Sequence, residues 1–394
     1  MNGTSDIARV LNAGVEESIV HPMHHQTKAK ERMYASNKYI QSFNSLSFGS
    51  GQIQLSIPRD QVIKGVYANL TFQGTNVADV LAPMPGYNAI SRIDYKFGGS
   101  TLYTLDGFSL WQVVRSMCST SDQITELVSL AGGPSNVAIG VSTVQTVVWI
   151  PVPYSRLNAA FNKARYGIDS SIMEQPLQIF ISLAPAAQVY VTNTGLNSAL
   201  SAGNWRIYGD SYLHSEDRIV PKDDHLFSFP CFYYQSYVSS SFTPASSSEQ
   251  QSVQLQGFRK GNLVGMLFSA VDNANYLGNN NFKLNQIQNL QVQFNGVNIS
   301  YAYGIDSRMI ELQASLTPSV YTAYSQVNRV NEIWFSNQPS RFSQFNFMNG
   351  LNLSSQTLTC NFTIGNSTNA QKLIVVYIYR SQLCYNSQTA ELVL

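Results

Sequence analysis

Residues 92–105 read RIDYKFGGSTLYTL, and residues 289–302 read NLQVQFNGVNISYA. Each alternates apolar and polar side chains up to a glycine-containing turn and then resumes, the pattern of two paired strands with one buried face. Laid together without a gap, Ile93 falls on Leu290, Tyr95 on Val292, Phe97 on Phe294, Gly99 on Gly296 and Leu102 on Ile299. The common offset is 197 residues, half of the 394-residue chain. Any two hairpins share such a pattern, so the weight of the match rests on whether the offset recurs.

Two further segments repeat at nearly that spacing. IKGVYANLTF from Ile63 aligns with KGNLVGMLFS from Lys260, putting Val66 on Leu263, Ala68 on Gly265 and Leu70 on Leu267. PLQIFISL from Pro176 aligns with KLIVVYIY from Lys372 at an offset of 196, with Leu177 on Leu373 and Ile181 on Tyr377. Three strand-like segments at one spacing predict two similar domains in tandem.

The composition fits that division. Two domains of about 200 residues are of ordinary size, and 44% hydrophobic residues suffice for two cores. Only 12% of residues are charged, about half the usual share, and the net charge is +1. Nothing at whole-chain level points to a nucleic-acid binder. A neutral, amide-rich surface lets copies pack side by side without accumulating repulsion. The start, MNGTSDIARVLNAGVEES, lacks the basic and then apolar pattern of an export signal. The four cysteines, Cys118, Cys231, Cys360 and Cys384, have no C-x-x-C spacing and are expected as free thiols.

Along the chain, residues 1–45 read as a helical N-terminal arm. Ile7, Val10, Leu11, Val15 and Ile19 follow a helical spacing, and Lys28, Lys30, Arg32 and Lys38 form the one local basic cluster. His21, His24 and His25 have no cysteine or carboxylate partner in register and do not make a metal site. Residues 46–216 read as a first barrel, 217–228 as a linker and 229–394 as a second barrel. The helix DGFSLWQVVRSM interrupts the first barrel, with Asp106 as its cap and Phe108, Trp111 and Val114 on one face; SRLNAAFNKARYG reads as a second helix, from Ser155 to Gly167. In the second half, DSRMIELQASL and TPSVYTAYSQV read as helical pieces divided by Pro318. Asp223, Asp224 and His225 are consecutive residues on a connector with no matched group elsewhere, so they read as solvated charge. The expected fold is all-β with short helical insertions: two tandem eight-stranded jelly-roll barrels behind a helical arm.

The run VVWIPVPYSRL from Val147, an apolar strand leaving through Pro151 to Tyr154 and Ser155, resembles the strand exit of the first barrel in double jelly-roll major capsid proteins. These belong to tailless icosahedral viruses, and the tectivirus-like, membrane-containing bacteriophage type is similar in size. The resemblance implies a structural protein rather than an enzyme, without cofactor or metal. Three chains would form a pseudo-hexagonal homotrimer that tiles a virion shell against neighbouring trimers, with vertex and minor capsid proteins as further partners. The arm would point inward, placing Lys28, Lys30, Arg32 and Lys38 against viral membrane lipid or genome, without sequence-specific nucleic-acid binding. The implied location is the virion, after synthesis in the host cytoplasm.

Two other classes also build on tandem barrels. A bicupin enzyme needs an H-x-H pair with further ligands on barrel strands, and none of the five histidines forms such a pair. G-x-S-x-G, Walker and H-E-x-x-H motifs are absent as well. A carbohydrate- or receptor-binding β-sandwich, of spike or lectin type, stays open as the alternative, since tyrosines and amides also suit sugars.

Overall fold

The computed structural model describes residues 33–58, 61–97, 100–116, 118, 121–151, 168–170, 175, 177–212, 227–246, 249–259, 261–299, 330–335, 351–353, 356–365, 367–385 and 390–393. In the first half the principal strands are β1 (Met33–Ser47), β2 (Gln52–Ser56), β3 (Gln61–Gln73), β4 (Ile90–Phe97), β5 (Ser100–Leu105), β6 (Thr143–Ile150), β7 (Leu177–Leu183) and β8 (Ala199–Tyr212). They pair antiparallel in two sheets, ordered β1-β8-β3-β6 and β2-β7-β4-β5. That order, with the chain stepping between the two sheets, is a jelly roll.

The second half repeats it. Its principal strands are β9 (Phe227–Val238), β10 (Gln251–Leu255), β11 (Asn262–Asp272), β12 (Ile287–Phe294), β13 (Val297–Asn298), β14 (Asn331–Trp334), β15 (Leu358–Ile364) and β16 (Gln371–Tyr385). The sheets run β9-β16-β11-β14 and β10-β15-β12-β13. Among the described residues, adding eight to each strand number of the first barrel reproduces the second. The expected all-β, double jelly-roll architecture is therefore the observed one.

Alternation builds each core. On β3, Val66, Ala68, Leu70 and Phe72 are all within 1% of full burial, and on the facing sheet so are Ile93, Tyr95, Ile179 and Ile181. Trp205 and Ile207 of β8 complete this layer. The opening hairpins are real in both halves. Phe97 pairs with Ser100 and Phe294 with Val297, each across a two-residue loop. In the second, Asn295 and Gly296 both take positive φ (50° and 78°), the backbone that an Asn-Gly hairpin turn supplies. The offset of 197 also holds in burial: Ile90, Ile93 and Tyr95 match Ile287, Leu290 and Val292, all buried.

The other two alignments need correction. A β-bulge skips Lys64 in β3 and Val264 in β11. Superposing the bulges puts Gly65 on Gly265, three residues away from the sequence alignment. PLQIFISL and KLIVVYIY are not equivalent strands at all. The first is β7, whose counterpart is β15, while the second lies in β16, the counterpart of β8.

The N-terminal arm also ends earlier than residue 45. Residues 33–47 form β1 and pair with β8 along most of its length, so Lys38 sits within a strand opposite Ile207. This segment shows few apolar positions because only Phe43 and Leu46 of its described side chains pack on the core. It is held by its ladder of hydrogen bonds as an outer strand of its sheet. The predicted helices at 155–167 and 306–327, the helical spacing at 7–19 and most of the linker lie outside the described residues.

Among the described residues of the first half there are four short helices: α1 (Pro85–Asn88), α2 (Gly107–Ser116), α3 (Ser121–Leu130) and α4 (Ala186–Val189). As expected, Asp106 caps α2, its carboxylate accepting the Ser109 N–H at 2.6 Å. Phe108, Trp111 and Val114 are buried together. The helix α3 was not expected, although Ile124, Leu127 and Val128 are buried at helical spacing.

Candidate assembly interface

All ten residues of α2 are buried, including Gln112 and Arg115. An amphipathic helix on one core would leave a polar face in water, so α2 must be covered on two sides. One side packs on the first barrel, where Trp111 lies 5.4 Å from the Tyr87 ring. The other side lies on the second barrel. The Gln112 amide donates to the Ser269 hydroxyl of β11 at 2.5 Å. Arg115 donates to Glu332 of β14 at 2.7 Å, with 2% and 8% of these side chains exposed. Phe108 meets Phe282 at 5.3 Å, and Tyr103 of β5 meets Tyr233 and Tyr234 of β9 at about 6 Å. This seam holds the two barrels side by side.

The seam covers the outer face of sheet β9-β16-β11-β14. Leu267, Ser269 and Val271 on β11, and Ile374, Val376 and Ile378 on β16, are at most 1% exposed. The sheet is thus buried on both faces, which makes β16 a continuous apolar run rather than an alternating one.

One end of the first barrel is tied into a rigid crown. Val80–Leu81 pairs with both Val137–Ala138 and Tyr190–Thr192, joining three interstrand loops in a small sheet. Asp79, fully buried, accepts N–H groups from Thr75, Asn76 and Gly195 and the Asn197 amide at 2.7–3.0 Å. Burial alone would raise this carboxyl, but the bonds from Gly195, Asn197, Asn76 and Thr75 outweigh it and hold its pKa at about 2. Above this clamp Val77, Val141 and Leu196 are exposed. In the second barrel Asp272 gathers Asn285, Ser367, Asn369 and Gln371 in the corresponding place. Burial opposes its ionisation too, and the four side-chain donors lower its pKa on balance. β1 enters at Met33 and reaches the crown at Ser47, so the chain comes in at the opposite end of the barrel, roughly 45 Å away at 3.3 Å per residue.

Of the predicted inner-face residues, Lys28, Lys30 and Arg32 lie outside the described residues, as do His21, His24, His25, Asp223, Asp224 and His225. Among the described residues no three His, Cys, Asp or Glu side chains cluster as a metal site, and no helix is long and apolar enough to cross a membrane. Cys118, Cys360 and Cys384 are free thiols. Burial pushes the Cys118 thiol up to about 12, far from the reactive thiolate range. A cleft of about 530 Å³ between β1 and β2, lined by Gln41, Phe43, Leu46, Gln52, Ile53, Gln54 and Ser56, holds no ionisable side chain. The seam residues Gln112, Arg115, Ser269 and Glu332 escaped the sequence reading. The available signal was the larger polar residues Gln112 and Arg115, three apart on a helix that also carries Phe108, Leu110, Trp111, Val113 and Val114.

No family model and no curated protein matches the chain by sequence. Solved structures do match. The VP54 protein of PBCV-1, fitted into a reconstruction of the virophage Sputnik, superposes with a TM-score of 0.69 at 12% identity over 92% of this chain and 97% of its own. The STIV major capsid protein gives 0.55 at 13% identity over 88% and 96%. The Faustovirus major capsid protein gives 0.55 at 9% identity over 89% and 90%. The chain has the double jelly-roll fold of these viral capsid proteins.

Proposed function

We propose that the chain is the major capsid protein of a tailless icosahedral virus, a structural protein without catalytic activity. Its working form is a homotrimer whose six barrels give a pseudo-hexagonal outline. Neighbouring trimers tile the shell, and vertex and minor capsid proteins complete it. The observation that carries this reading is the repeat of one strand order in two barrels fixed side by side by a buried seam. Two like barrels held rigidly give each chain one third of a near-sixfold ring, and a heterologous contact that closes at three makes the ring complete. The low charge of the chain suits dense packing of copies.

The opposite ends of the first barrel suggest an orientation. The crown, with Val77, Val141 and Leu196 exposed above the buried Asp79, faces outward, and the end through which the chain enters at Met33 faces inward. Lys28, Lys30 and Arg32 then meet anionic lipid headgroups or genome on the inner side, with Lys38 behind them in β1. Light scattering on the purified protein tests the assembly. The expected mass is three times the 43.7 kDa chain, about 131 kDa. A monomer at every concentration would contradict it.

A further inference from the structure

The two barrels close the same edge differently. In each, the strand that begins one sheet borders the strand that begins the other: β9 and β10 in the second barrel, β1 and β2 in the first. In the second barrel three side chains stitch that edge shut. The Tyr237 hydroxyl donates to the Gln254 carbonyl at 3.0 Å, the Tyr377 hydroxyl to the Gln256 carbonyl at 3.2 Å and the Gln235 amide to the Gly257 carbonyl at 3.0 Å. The Tyr237 ring stacks on Tyr377 at 6.1 Å with 24° between their planes, and Phe258 lies 4.7 Å from Tyr377.

The strand registers identify the counterparts in the first barrel. With Gly65 on Gly265, Trp205 pairs with Ala68 as Val375 pairs with Phe268. Gln41 pairs with Trp205 as Tyr237 pairs with Val375, so Gln41 stands where the closing tyrosine stands. On the other sheet Leu55 pairs with Ile179 and Ile179 with Tyr95, as Val253 pairs with Cys360 and Cys360 with Val292. Ser56 therefore takes the place of Gln254. The Ile57 N–H bonds to the Leu177 carbonyl at 3.0 Å, and alternation then turns the Ser56 carbonyl towards the open edge. Gln41 and Ser56 both line the cleft of about 530 Å³ between β1 and β2. The cleft is the space that Tyr237 bridges in the other barrel.

Its walls suit what the second barrel puts there. Phe43 and Ile53 give apolar surface, and Gln41, Gln52, Gln54 and Ser56 give uncharged donors and acceptors. The Phe43 ring lies over Gly203, where a Cβ would be 2.1 Å from it, and 6.3 Å from the Trp205 ring. Trp205 is 1% exposed, and its Nε1 has no hydrogen-bond partner among the described residues. Its pairing with Gln41 puts this buried donor on the sheet face that borders the cleft. We propose that the cleft binds a phenol: a flat, uncharged ring carrying a hydroxyl group, held as the second barrel holds the side chain of Tyr237. The ring lies against Phe43 and Ile53, its hydroxyl donates to the Ser56 carbonyl, and the glutamines meet polar groups attached to the ring. A free phenol and a tyrosine within an extended segment share this chemistry. The site goes beyond the capsid reading and does not depend on it.

The test titrates full-length protein with p-cresol, and separately with a tripeptide of tyrosine between two glutamines, blocked at both ends, reading binding by NMR. Gln41→Tyr writes the closing residue of the second barrel into the first, so that the chain fills its own cleft. Ser129→Tyr adds the same ring at an exposed position of α3. The expected result is saturable p-cresol binding to the wild type, equal binding to Ser129→Tyr, and binding about ten-fold weaker or less to Gln41→Tyr. A peptide that binds about ten-fold tighter than p-cresol makes a tyrosine-bearing segment the source, and equal binding makes it a free phenol. Absence of saturable binding of both probes to the wild type overturns the site, as does undiminished binding to a folded Gln41→Tyr. Should circular dichroism show that Gln41→Tyr does not fold, Gln54→Cys replaces it. Maleimide labelling of that cysteine about ten-fold slower in saturating p-cresol supports the site, and an unchanged rate overturns it.

Discussion

Arg115 and Glu332 face each other across the seam with almost no contact with water. Both charges have lost their hydration, so their attraction is largely offset and the pair adds little over an apolar pair of similar volume. Removing one partner is different, because it takes the 2.7 Å counter-ion from a buried charge. Glu332→Ala is predicted to destabilise the protein by about 3–5 kcal/mol, whereas Arg115→Met with Glu332→Leu restores most of the loss. Denaturant unfolding of the wild type, Glu332→Ala and the double variant checks it. Asp79 works at the same scale. Its folded-state pKa of about 2 lies below the ordinary 3.8, so its contribution is full above the ordinary value and is lost as pH falls through the lower one. Asp79→Asn therefore lowers Tm at pH 7, and the gap from wild type closes between about pH 4 and pH 2. A gap that stays constant down to pH 2 would show that the carboxylate is not what the crown depends on. Neither feature was legible beforehand, since a buried ion pair and a clamped carboxylate are made by segments more than a hundred residues apart.

At the scale of elements, α2 does two things with one turn pattern. Its apolar face joins the first core and its polar face locks onto the second barrel. The Asp106 cap, readable from sequence, sets where the helix begins. Asp106→Ala is predicted to cost about 0.5–2 kcal/mol and to speed hydrogen exchange in β11 and β14 as well as in α2. Faster exchange in α2 alone would mean that the seam does not depend on the helix start. The hairpins β4–β5 and β12–β13 were legible because alternation and a two-residue turn are both local. β1 was not, because its order comes from pairing with β8 and few of its side chains reach the core. The short helix α3 was hidden because only Ile124, Leu127 and Val128 among its described positions are buried.

At the scale of the molecule, the repeat was readable from the hairpins at an offset of 197 residues, and it is a true repeat of architecture. One of the supporting alignments joined strands that are not equivalent. PLQIFISL is buried on one face and KLIVVYIY on both, but short apolar runs look alike until the sheet is assembled. The seam explains that difference. It covers one barrel's outer sheet face within the chain, while the matching face of the other barrel carries the half-buried Tyr67, Asn69, Thr71 and Arg206. Electron microscopy of the purified protein tests this most directly. The account predicts a three-fold particle with six lobes around its rim, each chain giving two adjacent lobes. A field of separate two-lobed particles, persisting as protein concentration is raised, would contradict it.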